Sequence, residues 1–455
     1  MAQVIRGFLG AGLMLGAATL PLAAQGLALP AADPVGIARS GVQVAYGFSL
    51  EAAALNPALL ASLKETRGFY LGGGLEMQSS QTSLESNQRT SFSDDRNRAL
   101  AAFGLATRLR PNFTLGLKVD APFLRHGKLP SDAPSRFLGD GIDLSARRLE
   151  VQGAWTFNPN MSFGLGLGVA RLAFDSSSVV RLGVPLDPTQ PASVGNPIQG
   201  LVEQRVGQQG SKVVPSYSLG FRWAISPRWT LGAAHQSGLK GDLNLTSEFR
   251  GSALGYYDNT GLGLPPLGIA PRAATLLAAT TPRGHQGTLD LPSQTTVGMR
   301  HRIHPLVTWG ADLRWTGAGL AMPEFASVQT PSGTVAAPNQ AVKGKGHLGL
   351  GASVEMELAK DWTLRVGLFL DQRSKEESTV EPLLGGAPTS AFSVGGGYKV
   401  WGGELSLGYQ FRLSQDQESR SLDGVWSSTG FRATGTRSRV EGQGHLLAIG
   451  FKKMF

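Results

Sequence analysis

The chain has 455 residues, of which 61 are glycine, only 16% are charged and none is cysteine. An average soluble protein holds roughly 7% glycine and about a quarter charged residues, while 41% hydrophobic content at a formal net charge of +9 argues against disorder. The missing cysteine excludes disulfide frameworks and thiolate metal sites, and basic residues scattered singly make no nucleic-acid patch.

Residues 1–24 read as a secretory signal. Arg6 supplies the positive charge, Gly7 to Leu20 the apolar stretch, and small residues from Ala24 to Ala28 the cleavage sites. Beyond it no run of about 18 apolar residues occurs, so no spanning helix is expected. Residues 25–66 do not alternate. They carry Pro30, Pro34 and Pro57 and the run Ala54-Leu55-Asn56-Pro57-Ala58-Leu59-Leu60. Such a segment is too apolar to stay solvated and is expected inside whatever the rest of the chain encloses.

From Arg67 onward one pattern repeats. Phe113, Leu115, Leu117, Val119 and Ala121 fall on one face of a strand, with Thr114, Gly116, Lys118 and Asp120 on the other. Tyr217, Leu219, Phe221, Trp223 and Ile225 repeat it, as do Val307, Trp309, Ala311, Leu313 and Trp315, and Leu405, Leu407, Tyr409 and Phe411. Strands are expected near 67–79, 97–110, 113–123, 146–157, 161–175, 213–225, 228–246, 286–303, 306–316, 344–358, 362–374, 389–400, 403–413 and 440–455. Fourteen strands of ten or so residues match a tilted bilayer crossing of about 9–11 residues, and only a closed barrel satisfies such a backbone in lipid. Short turns (Arg110-Pro111-Asn112, Asn158-Pro159-Asn160, Ser226-Pro227-Arg228, His304-Pro305, Lys360-Asp361, Trp401-Gly402) alternate with long loops, the outer-membrane arrangement. Phe113, Trp155, Phe157, Trp223, Trp229 and Trp362 beside those turns suit an interfacial girdle. The reading is an all-β protein: a 14-stranded antiparallel transmembrane β-barrel over residues 67–455 with residues 25–66 as a hatch in its lumen, in the bacterial outer membrane.

Asn56-Pro57-Ala58 in an Ala/Gly-rich N-terminal segment resembles the hatch of FadL-type outer-membrane transporters. Leu115-Gly116-Leu117-Lys118-Val119-Asp120-Ala121-Pro122-Phe123, Leu231 to Ser237, Leu364-Arg365-Val366-Gly367 and the terminal Phe455 carry further echoes. The family usually has glycine where Leu59 stands, and Tyr-Arg where His235-Gln236 stand. The resemblance implies passive uptake of long-chain fatty acids or aromatic hydrocarbons, capture among outer loops and sideways release at a kink of the third strand. On that reading Asp120, Pro122 and Phe123 mark the kink, and Lys118 and Arg148 are candidates for gripping a substrate carboxylate. Long third and fourth outer loops, near 176–212 and 247–285, supply candidate groove residues Leu182, Val184, Leu186, Leu254, Tyr256, Tyr257, Leu262 and Leu264, with a short helix possible over 270–280. Phe455 resembles the signal read by barrel-assembly machinery, although Lys453 interrupts its apolar phase.

Outer-membrane lipids and lipopolysaccharide are expected partners of a monomer; no cofactor, metal or nucleic acid is expected. A diffusive porin and a structural or adhesive barrel are the rival readings. His347 shares the inner face with Glu355 and Glu357, but no nucleophile motif accompanies it, so an enzyme is not expected.

Overall fold

The computed structural model describes residues 33–46, 50–63, 65–85, 90–129, 139–187, 189–190, 193, 195, 198–258, 266–278, 283–319, 321–323, 328–330, 333–335, 344–372, 389–419 and 437–455. The expected signal segment lies outside them. Strands β1 (Arg67–Glu85), β2 (Thr90–Arg110), β3 (Phe113–Lys128), β4 (Gly141–Asn158), β5 (Met161–Pro185) and β6 (Ile198–Ala224) form successive antiparallel neighbours. Then come β7 (Trp229–Gln236), β8 (Leu239–Asp258), helix α3 (Pro266–Ala278), β9 (Arg283–Leu291), β10 (Gln294–His304) and β11 (Val307–Thr316). A small hairpin, β12 (Val328–Thr330) with β13 (Gly333–Val335), precedes β14 (His347–Ala359), β15 (Trp362–Asp371), β16 (Thr389–Val400), β17 (Gly403–Ser419) and β18 (Arg437–Met454). The β1–β18 pairing closes the wall. Phe455 completes the seam, donating its N–H to Arg67 O at 2.8 Å and accepting from Thr66 N at 3.1 Å.

Two strands expected to be continuous are broken. β7 and β8 are one crossing interrupted at Ser237-Gly238, and β9 and β10 one crossing interrupted at Pro292-Ser293. Counted as crossings, the wall is a closed 14-stranded antiparallel barrel. The breaks are level with each other, since β8 resumes pairing at Leu239↔Leu291 and β7 pairs with β10 from Gln294↔Gln236. Pro292 has no N–H for a ladder, which explains one of them.

Alternation works as anticipated over the membrane. Leu71, Leu105, Val151, Leu167, Leu219, Leu350, Leu407 and Ile449 are exposed on the outside, while Thr114, Glu150, Ser218, Asp312 and Gln410 are buried inside. Near the short turns, Phe113 and Trp155 rings lie 4.9 Å apart, Trp362 and Tyr398 4.6 Å apart, and Trp229 stacks on His301 at 3.9 Å. The Trp401-Gly402 turn has φ of 52° and 71°, the left-handed pair that a two-residue hairpin matching strand twist requires.

The expected third and fourth outer loops are largely sheet instead. β5 runs to Pro185, β6 starts at Ile198 and β8 runs to Asp258, well past the band of exposed apolar side chains. Beyond lipid neither face is required to be apolar, so the alternation that betrays a strand fades there. Helix α3 lies over this extension and spans Pro266–Ala278, longer at its start than the expected 270–280.

Candidate functional site

The lumen holds three short elements of the N-terminal segment: α1 (Pro34–Ala38), α2 (Leu50–Ala53) and a 3-10 turn (Pro57–Ser62). α1 is capped by Asp33, whose Oδ1 accepts from Gly36 N at 2.6 Å. Burial first, then the charge of Glu51, raises the Asp33 carboxyl above the usual range, against the opposing Gly36 N–H. Asn56 caps the 3-10 turn, accepting from Ala58 N at 3.1 Å. Its Nδ2 donates to Val44 O at 2.8 Å and to Phe221 O of β6 at 3.0 Å, so one fully buried amide ties two hatch segments to the wall.

The wall is shaped to receive these elements. A Cβ on Gly164 would fall 2.3 Å from Ala58 N, one on Gly220 2.2 Å from Asn56 Oδ1, one on Gly232 2.2 Å from Val44 O and one on Gly408 2.2 Å from Pro34 O. No side chain could stand at these positions without moving hatch backbone. Polar anchors fill the spaces between. Asp312 Oδ2 accepts from Gln43 N (2.8 Å) and Val44 N (3.0 Å). Arg39 meets Glu355, which also accepts from Arg365 Nε at 2.8 Å. Lys452 bridges Glu51 at 3.2 Å and Glu404 at 3.3 Å.

Outward of the hatch sits a paired charge cluster containing both expected carboxylate-gripping residues. Lys118 faces Glu150 across the β3–β4 ladder, and Asp120 faces Arg148. Lys118 Nζ lies 3.1 Å from Glu150 and donates to Ala54 O at 2.9 Å. Arg148 donates twice to Asp120, Nε at 2.9 Å and Nη2 at 2.7 Å, the bidentate fork that fixes geometry as well as charge. Ser218 Oγ donates to Glu150 at 2.6 Å. The four ionic side chains cancel, and the cluster forms a floor resting on the hatch carbonyls of Ala53 and Ala54.

Above that floor the inner face changes character. Phe123, Leu144, Ala146, Leu172, Phe174, Val214, Leu239, Leu243, Leu245, Leu289 and Leu291 form one buried apolar cluster. Three phase reversals produce it. On β3 the inward residues are Thr114, Gly116 and Lys118, but beyond a bulge between Asp120 and Phe123 they are Phe123, Arg125 and Gly127. Phe123, which strict alternation assigns to lipid with Val119 and Ala121, is turned inside. Pro122 lies within that bulge. Across Ser237-Gly238 the same happens: Trp229 and Leu231 point outward, whereas Leu239, Leu243 and Leu245 point in, opposite exposed Lys240, Asp242 and Asn244. Leu289 and Leu291 follow suit before Pro292. Sequence reasoning missed this compartment because it carried one alternation phase through all three breaks. The letters of β8 gave no warning, since leucines alternating with Lys240, Asp242 and Asn244 fit the apolar outward phase, whereas the structure turns those polar residues outward.

The bulge also changes the wall. The β2–β3 ladder stops at Phe103↔Val119. Among the described residues farther out, β2 pairs with β1 alone and β3 with β4 alone. Leu124 packs beside Leu100 with Ile37 of the hatch, and Arg125 Nη1 reaches Gln78 of β1 at 3.2 Å. Of the expected groove residues, Leu182 and Val184 are fully buried with Val202, Val206, Ile269, Ala273 and Leu276 beneath α3. Tyr256 packs against that cluster, Leu254 is half-buried, and Leu186 and Tyr257 are exposed. Leu262 and Leu264 lie outside the described residues.

A hatch seated in a fourteen-crossing barrel, with a bulged third strand, can be set beside known proteins. The sequence profile of the outer membrane protein transport protein family (OMPP1/FadL/TodX) matches residues 14–455. The chain belongs to this family. It is therefore an outer-membrane transport protein, and family members act as transporters or channels. A Pseudomonas aeruginosa FadL homologue shares the fold at TM-score 0.73 with 16% identity, covering 95% of this chain and 100% of that one. The P. putida toluene transporter TodX does so at 0.62 and 14%, covering 94% and 99%. The Ralstonia pickettii toluene transporter TbuX does so at 0.54 and 15%, with 94% and 99% covered. No curated protein matches the sequence.

Proposed function

We propose that this family member takes up hydrophobic small molecules passively, long-chain fatty acids or aromatic hydrocarbons; its likeness to toluene transporters supports the reading. One observation carries the reading: Phe123, Leu144, Leu172, Phe174, Leu243 and Leu289 form an apolar lining inside the barrel, outward of the ionic floor. An apolar solute gains by leaving water for such a lining, roughly 25 cal/mol per Å² of apolar surface buried. Below it the described parts of the hatch, residues 33–46 and 50–63, the second carrying Asn56-Pro57-Ala58, stand in the way of passage straight to the periplasm. Beside it the β2–β3 ladder is interrupted at Asp120, Pro122 and Phe123, which supports sideways release into the bilayer. The exposed Leu186 and Tyr257 at the outer rim suit first capture, with Leu254 and Tyr256 behind them. Lys118 and Arg148, at the floor of the compartment, are the positive groups placed to meet a substrate carboxylate, in exchange with Glu150 and Asp120. No step of this scheme needs bond chemistry, so the protein acts as a carrier and not as a catalyst. Cleavage of residues 1–24, assembly through Phe455 and a monomeric state belong to the same reading.

The test is uptake of a labelled fatty acid and of labelled toluene by cells lacking their own transporter. Accumulation of either, dependent on this chain, supports the reading. A folded barrel that admits neither, yet lets sugars swell liposomes rapidly, is a diffusive porin instead.

A further inference from the structure

The outer surface carries a feature that solute uptake does not use. Arg147 on β4 and Arg171 on β5 stand directly opposite each other in the ladder, both exposed on the outward face. Like charges so placed repel. Neither has an acidic partner among the described residues. On the outward face of these two strands the nearest acids, the opposed pair Asp143 and Asp175, lie four residues farther out, about 13 Å along the strands. They are engaged elsewhere, Asp143 with His126 at 3.4 Å and Asp175 with Arg250.

Height decides what such a patch meets. On the same face below the arginines run Leu149, Val151, Val169 and Leu167, all exposed and apolar, down to Trp155 and Phe163 near the Asn158–Asn160 turn. Arg147 and Arg171 lie about ten residues above that turn; at roughly 3.3 Å per residue and a tilt of about 40° this is roughly 25 Å, the height of the apolar band of an outer-membrane barrel. The arginines thus sit where the outer leaflet passes from hydrocarbon to headgroup. A guanidinium pair there, unopposed by carboxylates, is matched by an anion with several acceptor oxygens held at that depth.

We propose that Arg147 and Arg171 bind the phosphate groups of lipopolysaccharide in the outer leaflet. The inference rests on the outer-membrane location, and not on which solute is carried. The site lies on the outer face, away from the lumen, so its failure and failure of the uptake reading are separable.

The experiment measures binding of lipopolysaccharide to the detergent-solubilised full chain by titration calorimetry, at low and high salt, alongside the Arg147→Gln/Arg171→Gln variant. Heat-modified migration on gels checks that the variant barrel is folded. Wild-type protein is expected to bind with an affinity that falls steeply with salt, and the double variant to bind about tenfold more weakly, a difference of about 1.4 kcal/mol. Enzymatically dephosphorylated lipopolysaccharide should lower wild-type affinity to that of the variant, while uptake of labelled solute by the variant stays at the wild-type level. Equal wild-type affinity for phosphorylated and dephosphorylated lipid overturns the proposal without reference to any variant. So does inorganic phosphate that binds as tightly as the lipid, which would mark a free-anion site.

Discussion

Toward the short turns, the inner face of the barrel is glycine, serine and paired charge, cut to the shape of hatch backbone at Gly164, Gly220, Gly232 and Gly408. Toward the outer rim, the same β3, β4 and β5 present Phe123, Leu144, Ala146, Leu172 and Phe174 to the interior. The first region is built to hold something permanently, through fixed hydrogen bonds such as those from Gln43 and Val44 to Asp312. The second has no directional contacts to offer and suits transient apolar guests. The Lys118–Glu150 and Arg148–Asp120 pairs separate them. The difference teaches that a barrel assigns functions by height, and that a strand changes its inward chemistry by breaking phase.

Removing the holding function should have the largest effect. Gly164→Leu with Gly220→Leu places side chains where Ala58 N and Asn56 Oδ1 now sit, at 2.3 and 2.2 Å from the added Cβ atoms. The hatch must leave its seat. Liposomes carrying the variant are expected to swell in sugars at a porin-like rate, where wild type barely swells; a sealed variant would show that the glycines are not the seat.

Spoiling the apolar compartment comes next. Phe174→Glu puts a carboxylate beside Leu144 and Gly210, its ladder neighbours, within the same cluster, where an unpaired charge is costly to bury. Uptake of labelled hydrophobe should fall about tenfold or more with sugar impermeability intact. Retained uptake would move the solute path away from this cluster.

Asp312→Ala leaves the buried Gln43 and Val44 N–H groups without an acceptor, each costing about 1–3 kcal/mol. Hydrogen exchange is expected to quicken in residues 42–46 by that measure while the strands stay protected. An unchanged rate would mean that Asn56 alone holds this segment.

The smallest effect concerns pH. The Asp33 carboxyl is raised by burial, so the seated hatch holds its proton more tightly than a released one. Its contribution to seating is full below the ordinary carboxylate range and is lost as pH rises through the raised value. Exchange at α1 should therefore quicken with rising pH in wild type and less so in Asp33→Asn, which keeps the cap. Identical profiles would assign the pH response to another group.

Much of this was legible in the letters. Period-two alternation located all fourteen crossings because lipid enforces it on one face of each strand. Even the ionic floor was encoded, as Lys118-Val119-Asp120 runs antiparallel to Arg148-Leu149-Glu150 and pairs opposite signs. What escaped were the points at which alternation reverses, at Asp120–Phe123, Ser237-Gly238 and Pro292-Ser293, since a bulge costs one residue and leaves composition unchanged. The outer extensions of β5, β6 and β8 escaped for a different reason. Above the bilayer, stretches such as Gln208 to Lys212 are polar on both faces and read as loop. Leu182 and Val184, expected on an open groove, instead pack under α3 with Ile269 and Leu276. Hatch anchors such as Asp312 were unreadable, because a lone inward carboxylate says nothing of its distant partners.

The central claim is that solute leaves the apolar compartment through the wall where β3 parts from β2. Because the chain has no cysteine, Leu100→Cys with Leu124→Cys creates a unique pair across that line. Bridging it with a short reducible cross-linker and measuring uptake of labelled hydrophobe is the most direct test. The bridged protein should lose uptake, and reduction should restore it. Full uptake by the bridged protein would contradict the account.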